Sequence, residues 1–250
     1  MLWVTMLNTI VVRRISMPPK RTPSSDKKKD AVAAPTPGGK TASAAMSRPD
    51  PNFLKYATLT GQDTGSGPTN YIGGSGFGKF FEDIKVNIES VEALILCYKL
   101  GCTKPFSIQE AEYRTLSSLG CPTLESIPKK AVEWKKALCN NPTETKSFFL
   151  FCFSFFREAE NAIVLQAETA VALWECLVPV FFPSFPLDSL RNYTTTVYKR
   201  AINKDTWRGM FDCMKAYPTG NFDAFDGVSG AWPTFVDQFV EMVQSVKATL

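Results

Sequence analysis

An all-α protein is predicted from three observations: apolar residues recur at helical spacing, polar start signals precede those runs, and no alternating stretch reaches convincing strand length. The helical pattern begins at residue 52. Ile84, Ile88, Val91, Ile95 and Tyr98 follow one another at spacings of four and three, forming one face of a helix or of two consecutive helices. Asn141-Pro142 supplies an N-cap and a first-turn proline. The run Ser147 to Phe156 behind it is apolar almost all round, so that helix is expected to be central and buried. A strand is the rival reading for so aromatic a segment, and the start signal favours the helix. Gln166 to Leu177 follows as a helix with Trp174 and Leu177 on its inner face. Pro179, Pro183 and Pro186 then predict a bent, non-helical connection. Leu187 to Ala201, Lys204 to Tyr217 and Pro233 to Lys247 complete a set of roughly eight helices.

Composition narrows the chemistry. The 250 residues include no histidine, which excludes Ser-His-Asp and Cys-His hydrolases, His-ligated zinc or haem, and imidazole proton shuttles. Hydrophobic residues make up 44%, enough for a sizeable core. The seven cysteines include no C-x-x-C pair and sit in apolar runs such as Leu96-Cys97-Tyr98 and Phe151-Cys152-Phe153. They read as buried thiols in a reducing compartment, not as a disulfide framework.

The net charge of +4 averages two unlike parts. Residues 1–50 carry nine basic and three acidic side chains, and the remaining 200 carry 19 and 21. Between Met17 and Pro51 the composition is Pro, Lys, Ser, Ala and Gly without an aromatic, too little apolar surface to offset ordering entropy. Residues 1–50 are therefore read as a disordered basic tail and 51–250 as the folded domain. The run from Pro18 to Lys29 resembles a nuclear-import signal, with a solvated or nucleic-acid-grazing tail as the alternative. Localisation to nucleus and cytoplasm is the expectation. Residues 1–12 are apolar but too short to span a bilayer, which takes roughly 20 residues. Their arginines follow instead of preceding them, the wrong order for a secretory signal. Met17 is a candidate for the true start, and a mitochondrial presequence is the competing reading. No membrane partner is expected, and the net-negative body argues against nucleic acid.

Two motifs fail on inspection. Gly73-Gly74-Ser75-Gly76-Phe77-Gly78-Lys79 spells the start of a phosphate loop. Phe80 stands where Ser or Thr must hold magnesium, and no apolar strand precedes it. Placing Gly227 at the sixth position of a calcium loop puts Phe222, Ala224 and Asp226 at one, three and five. Pro233 then falls where a bidentate Glu is needed. One ligand of four cannot hold calcium, and no cofactor or metal is expected. Asn192-Tyr193-Thr194 is a glycosylation sequon by spelling only.

Two acids stand out. Asn203 is placed to cap a helix with Asp205 in its first turn, where an acid stabilises the helix dipole by about 0.3–1 kcal/mol without any partner. After Pro233, Asp237, Glu241 and Gln244 fall at i, i+4 and i+7 on the expected outer face, with Val236, Phe239, Val240 and Val243 inward. By pattern alone both are ordinary solvated positions.

Lys204-Asp205-Thr206-Trp207, Gly230-Ala231-Trp232-Pro233 and Asp237-Gln238-Phe239-Val240-Glu241 closely resemble the C-terminal half of the defective-in-cullin-neddylation family, whose shared unit is the potentiating-neddylation domain. Leu94 to Lys99, Leu119-Gly120-Cys121 and Phe148 to Phe155 extend the resemblance over roughly residues 52–247. The resemblance implies an all-helical domain with two degenerate EF-hand-like units lacking calcium. It also implies a non-catalytic scaffold-type ligase that promotes transfer of the ubiquitin-like neddylation modifier to a cullin lysine. One surface, here Asp205, Ala231 and Asp237, would bind the winged-helix domain at the cullin C-terminus. A second would take the acetylated N-terminus of the conjugating enzyme in a pocket of Ala93, Leu96, Phe106, Phe155, Leu173 and Cys176. For each of these six, plain core packing is the competing reading.

The sequence departs from the family in several places. Tyr98 stands where Trp is usual, the segment between Tyr98 and Phe106 is short, and Gln238 replaces an acid after Asp237. Rival functions are an adaptor for another peptide or helix, a cysteine-dependent transferase, and a nucleic-acid binder acting through the tail alone.

Overall fold

The computed structural model describes residues 50–159, 161–227 and 230–249, and the basic tail before Asp50 lies outside them. Among the described residues there are ten α-helices and four two-residue strands. In order they are α1 (Pro51–Gln62), β1 (Tyr71–Ile72), α2 (Gly74–Asp83), α3 (Val91–Leu100), β2 (Ile108–Gln109) and α4 (Glu110–Ser118). Then come α5 (Ile127–Cys139), α6 (Pro142–Phe155), β3 (Val164–Leu165), α7 (Ala167–Phe181) and α8 (Leu187–Asn192). A π-helical turn (Tyr193–Tyr198), β4 (Ile202–Asn203), α9 (Lys204–Ala216) and α10 (Thr234–Thr249) close the chain. The all-α class holds.

The strands tie helices in pairs. β1 runs antiparallel to β2, with Tyr71 opposite Gln109 and Ile72 opposite Ile108. β3 runs antiparallel to β4, with Val164 opposite Asn203 and Leu165 opposite Ile202. Each strand lies in the connection between two helices, so the described residues hold two strand-linked groups of helices with α5 between them. Between α9 and α10, the described residues 217–227 and 230–233 include no strand. Among the described residues, no group of three His, Cys, Asp or Glu is placed to hold a metal.

Local chemistry sets the helix ends. Asp50 Oδ1 accepts from the Asn52 and Phe53 amides at 2.8 and 3.2 Å and starts α1 with Pro51 in its first turn. Ser90 caps α3, and Gly101 in the left-handed region ends it. Glu112 folds back onto the Gln109 amide at 2.7 Å and reaches the Thr103 amide at 2.9 Å, joining the start of α4 to the loop before it. Asn141 Oδ1 accepts from the Glu144 amide and Asn203 Oδ1 from the Thr206 amide.

The glycine run that spells a phosphate loop is the start of α2, and its anion site is already filled: Asp63 Oδ2 accepts from the Ser75 amide at 2.7 Å. Lys79 is paired with Glu82 and Asp83. Gly76 is there for contact, because a Cβ on it would lie 2.2 Å from the Tyr56 carbonyl oxygen of α1.

The periodic run from Ile84 to Tyr98 takes the second of its two readings, dividing between the end of α2 and α3 with Ile88 in the turn between them. Two expectations shift. The helix expected to end at Leu177 continues to Phe181 with Pro179 inside it. Pro179 removes its own amide bond to the preceding turn, and the helix ends two residues later, where the Phe182 amide donates to Val178 O at 2.8 Å. The helix expected to reach Ala201 is regular only to Asn192. Thr194, Thr195 and Thr196 donate their hydroxyls to the carbonyls of Leu190, Arg191 and Asn192, which loosens the ladder into a π turn ending at Lys199 with φ 52°.

As expected, α6 is central: Phe148, Phe149, Cys152, Phe153 and Phe155 are buried. Phe149 packs edge-on against Phe181, Phe182 and Phe211. Trp174 of α7 stacks on Trp207 of α9 with centroids 5.3 Å apart and planes 9° from parallel. One apolar cluster runs from Phe53 to Val240. Among the described residues no helix is long and apolar enough to cross a membrane.

Candidate docking site

The position of Asp205 follows from two anchors. Asn203 opens α9, and Trp207 four residues later is locked into the core by its stack on Trp174 and by donating Nε1–H to Phe149 O at 2.8 Å. Asp205 between them must point outward, and its side chain is 76% exposed. Its neighbour is Arg208 at 2.9 Å, an i,i+3 surface pair that contributes little and leaves the carboxylate open to a partner.

Asp237 is placed by the start of α10. Pro233 O accepts from the Val236 and Asp237 amides at 2.7 and 3.3 Å, while Trp232 stacks on Phe225 and Phe235 packs against Tyr193 and Tyr198. Ala231 is exposed with φ 47°, a left-handed conformation uncommon for alanine.

The outer-face expectation for Asp237 needs correction. The residue is half-buried, and its Oδ1 is buried without a hydrogen-bond partner among the described residues. That oxygen lies against Gly227, where a Cβ would come within 3.4 Å of it. The cause is the 217–227 segment folding back along α10, held by Gln244 Nε2 donating to Phe222 O and by Lys247 pairing with Asp223. Burial and the charge of Glu241 raise the Asp237 carboxyl above the usual carboxylate range. A cation brought to Asp237 would meet a poorly solvated carboxylate, a stronger partner than a surface acid.

Beside Asp205 lies an open groove of about 510 Å³ lined by Tyr198, Arg200, Asn203, Asp205, Thr234 and Gln238 among others. Val197 on its rim is 59% exposed. Asp237 and Ala231 are not part of its lining. Gln238, which reads from sequence as a missing acid, has its own structural role: its Oε1 accepts from the Tyr193 hydroxyl at 3.0 Å. Sequence reasoning passed over Tyr198 and Arg200, whose only signal was their place between a threonine run and the Asn203 cap.

The six peptide-pocket residues fall on α3 (Ala93, Leu96), the loop before β2 (Phe106), α6 (Phe155) and α7 (Leu173, Cys176). Leu96 and Leu173 are fully buried, and Ala93 and Phe155 nearly so. Phe106 and Cys176 reach the surface in part. Phe106, at φ 58°, packs edge-on against Phe77 and Phe156, and Phe155 stacks on Phe151. Tyr98 packs on Phe148 and Phe151 in the same neighbourhood, and Lys99 beside it pairs with Glu144.

The sequence profile of the family described as "Cullin binding" matches residues 126–242, a span that contains Asp205, Ala231 and Asp237. The chain is similar to several DCN1-like proteins, in line with the resemblance read from its motifs. It is 27% identical to DCN1-like protein 4 of Drosophila melanogaster over 195 residues, covering 77% of this chain and 73% of that protein. Against human DCN1-like protein 4 it is 29% identical over 180 residues, covering 70% of this chain and 59% of the relative. Human DCN1-like protein 5 is 28% identical over 187 residues, covering 74% of this chain and 75% of that protein.

Proposed function

We propose that this chain is a non-catalytic scaffold in cullin neddylation. It docks the cullin C-terminal winged-helix domain on Asp205, Ala231 and Asp237, and it takes the acetylated N-terminus of the conjugating enzyme among Ala93, Leu96, Phe106, Phe155, Leu173 and Cys176. The observation that carries the reading is the cullin-binding family match, which spans the two acids and the alanine at the adjoining starts of α9 and α10. Two carboxylates flanking a small residue suit a Lys or Arg on the partner. An apolar site among these residues would suit an acetylated amine, because burying an unpaired ammonium is costly. Transfer is accelerated by proximity: both reactants are held on one body, and the thioester is presented to the cullin lysine. The protein works in nucleus and cytoplasm, where its substrates are met in a reducing environment.

The test is a reconstituted transfer assay with and without this chain, paired with a titration against the cullin C-terminal domain. Asp237→Lys is expected to remove cullin binding and the rate stimulation together while the helical circular dichroism spectrum is kept, since a charge reversal at a partly desolvated contact costs several kcal/mol. Unchanged affinity would defeat the assignment. Binding to neither cullin nor conjugating enzyme would leave the helical-adaptor reading in its place.

A further inference from the structure

We propose that Gly209 is a positioning residue for the docking patch: it fixes how closely the start of α10 approaches α9 and so sets the spacing of Asp205 and Asp237. The inference rests on the docking reading above. Gly209 is buried and lies four residues after Asp205, hence on the same face of α9 one turn further in. A Cβ placed on it would lie 2.6 Å from Pro233 Cγ and 2.8 Å from Pro233 Cδ, and 3.5 Å from Val236 Cγ2. Distances below 3 Å between such carbons are not tolerated, and a proline ring cannot swing aside as a lysine tip can, because it is closed onto its own backbone. The contact can be relieved only by moving Pro233.

Pro233 cannot move alone. Its carbonyl accepts from the amides of Val236 and Asp237, so the first turn of α10 travels with it. Ala231, two residues upstream, is bound to the same segment through Trp232, which is stacked on Phe225. Asp205 stays behind, because Trp207 is fixed on Trp174 and Phe149. One methyl group at position 209 therefore displaces Asp237 and Ala231 relative to Asp205. No glycine is otherwise needed here: residue 209 is an interior helical position where alanine has the higher intrinsic propensity.

The experiment measures affinity for a cullin C-terminal domain, and its dependence on salt, for the full chain and for Gly209→Ala, Pro233→Ala, their double variant and Asp237→Ala. Helical content and thermal melts are recorded alongside. Gly209→Ala is expected to weaken binding by about tenfold at a temperature where it remains folded. Its plot of affinity against salt should flatten toward that of Asp237→Ala, a signature of lost charge contacts that general loosening does not produce. Adding Pro233→Ala, which removes the ring atoms the methyl meets, should restore affinity to within about threefold of wild type. If Gly209→Ala alone does not fold, the double variant carries the test: folded and binding, it supports the assignment; folded and not binding, it overturns it. Gly209→Ala with raised thermal stability and unchanged affinity would overturn it as well. A wild-type chain that does not bind cullin would sink the docking reading itself, a result distinguishable from either.

Discussion

Cys139, at the end of α5, is the exposed thiol of the seven; Cys176 is half-buried and the other five are buried. Burial drives the Cys121 and Cys152 thiols upward and pushes Cys176 and Cys213 up to about 12, while Cys102 is raised by its hydrogen bond with Cys97 and by burial. A thiol raised this far holds almost no thiolate at neutral pH, and the thiolate is the nucleophile. An alkylating reagent at neutral pH is therefore expected to label Cys139 in the native protein, Cys176 slowly, and the other five only after unfolding. Peptide mass spectrometry reads the result directly. Rapid native labelling of Cys152 or Cys213 would contradict it and would favour a thioester-forming transferase over a scaffold.

The helix α9 depends on its cap. Asn203 Oδ1 satisfies the Thr206 amide at 2.8 Å, and Asn203 also pairs with Val164 across the β3–β4 ladder. Asn203→Ala is expected to cost about 1 kcal/mol, a melting-temperature drop of about 2–4 °C for a domain of this size, measured by thermal denaturation. This cap, like Asn141-Pro142 and Pro233, was legible in the sequence because capping is decided by a side chain and the few backbone groups beside it. Trp174 and Leu177 were legible as core from helical periodicity, and Phe148 and Phe149 because the run that holds them is apolar almost all round. Pro179 misled because a proline near a helix end costs one bond, and Phe182 and Val178 close the helix around it. The two-residue strands were invisible: each consists of one residue pair, and pairing Tyr71 with Gln109 depends on residues far apart in the chain. At the site, Asp205 followed from its cap, whereas the buried Oδ1 of Asp237 did not, because it depends on Phe222 and Asp223 folding back from another segment.

The proposed sites occupy different helices of one continuous core: the peptide residues on α3, α6 and α7, the docking residues at the starts of α9 and α10. The Trp174–Trp207 stack joins α7 directly to α9, so a partner on one site is held in a defined relation to a partner on the other. Such a two-site body raises the effective concentration of one reactant around the other without forming or breaking a bond. This has a kinetic consequence that a true catalyst does not share. When the scaffold is scarce, each added molecule creates ternary complexes and the transfer rate rises. When it exceeds both partners, cullin and charged conjugating enzyme are bound to separate copies, and the productive complex declines by mass action. The rate of cullin modification, measured at fixed concentrations of both reactants against increasing amounts of this chain, is therefore expected to rise, peak near the partner concentrations and fall. Asp237→Lys should flatten the rise and, because it still occupies the conjugating enzyme's N-terminus, retain the inhibitory limb. A rate that climbs to a plateau and stays there at large excess would mean that the two sites are not engaged independently, and the tethering account would have to be given up.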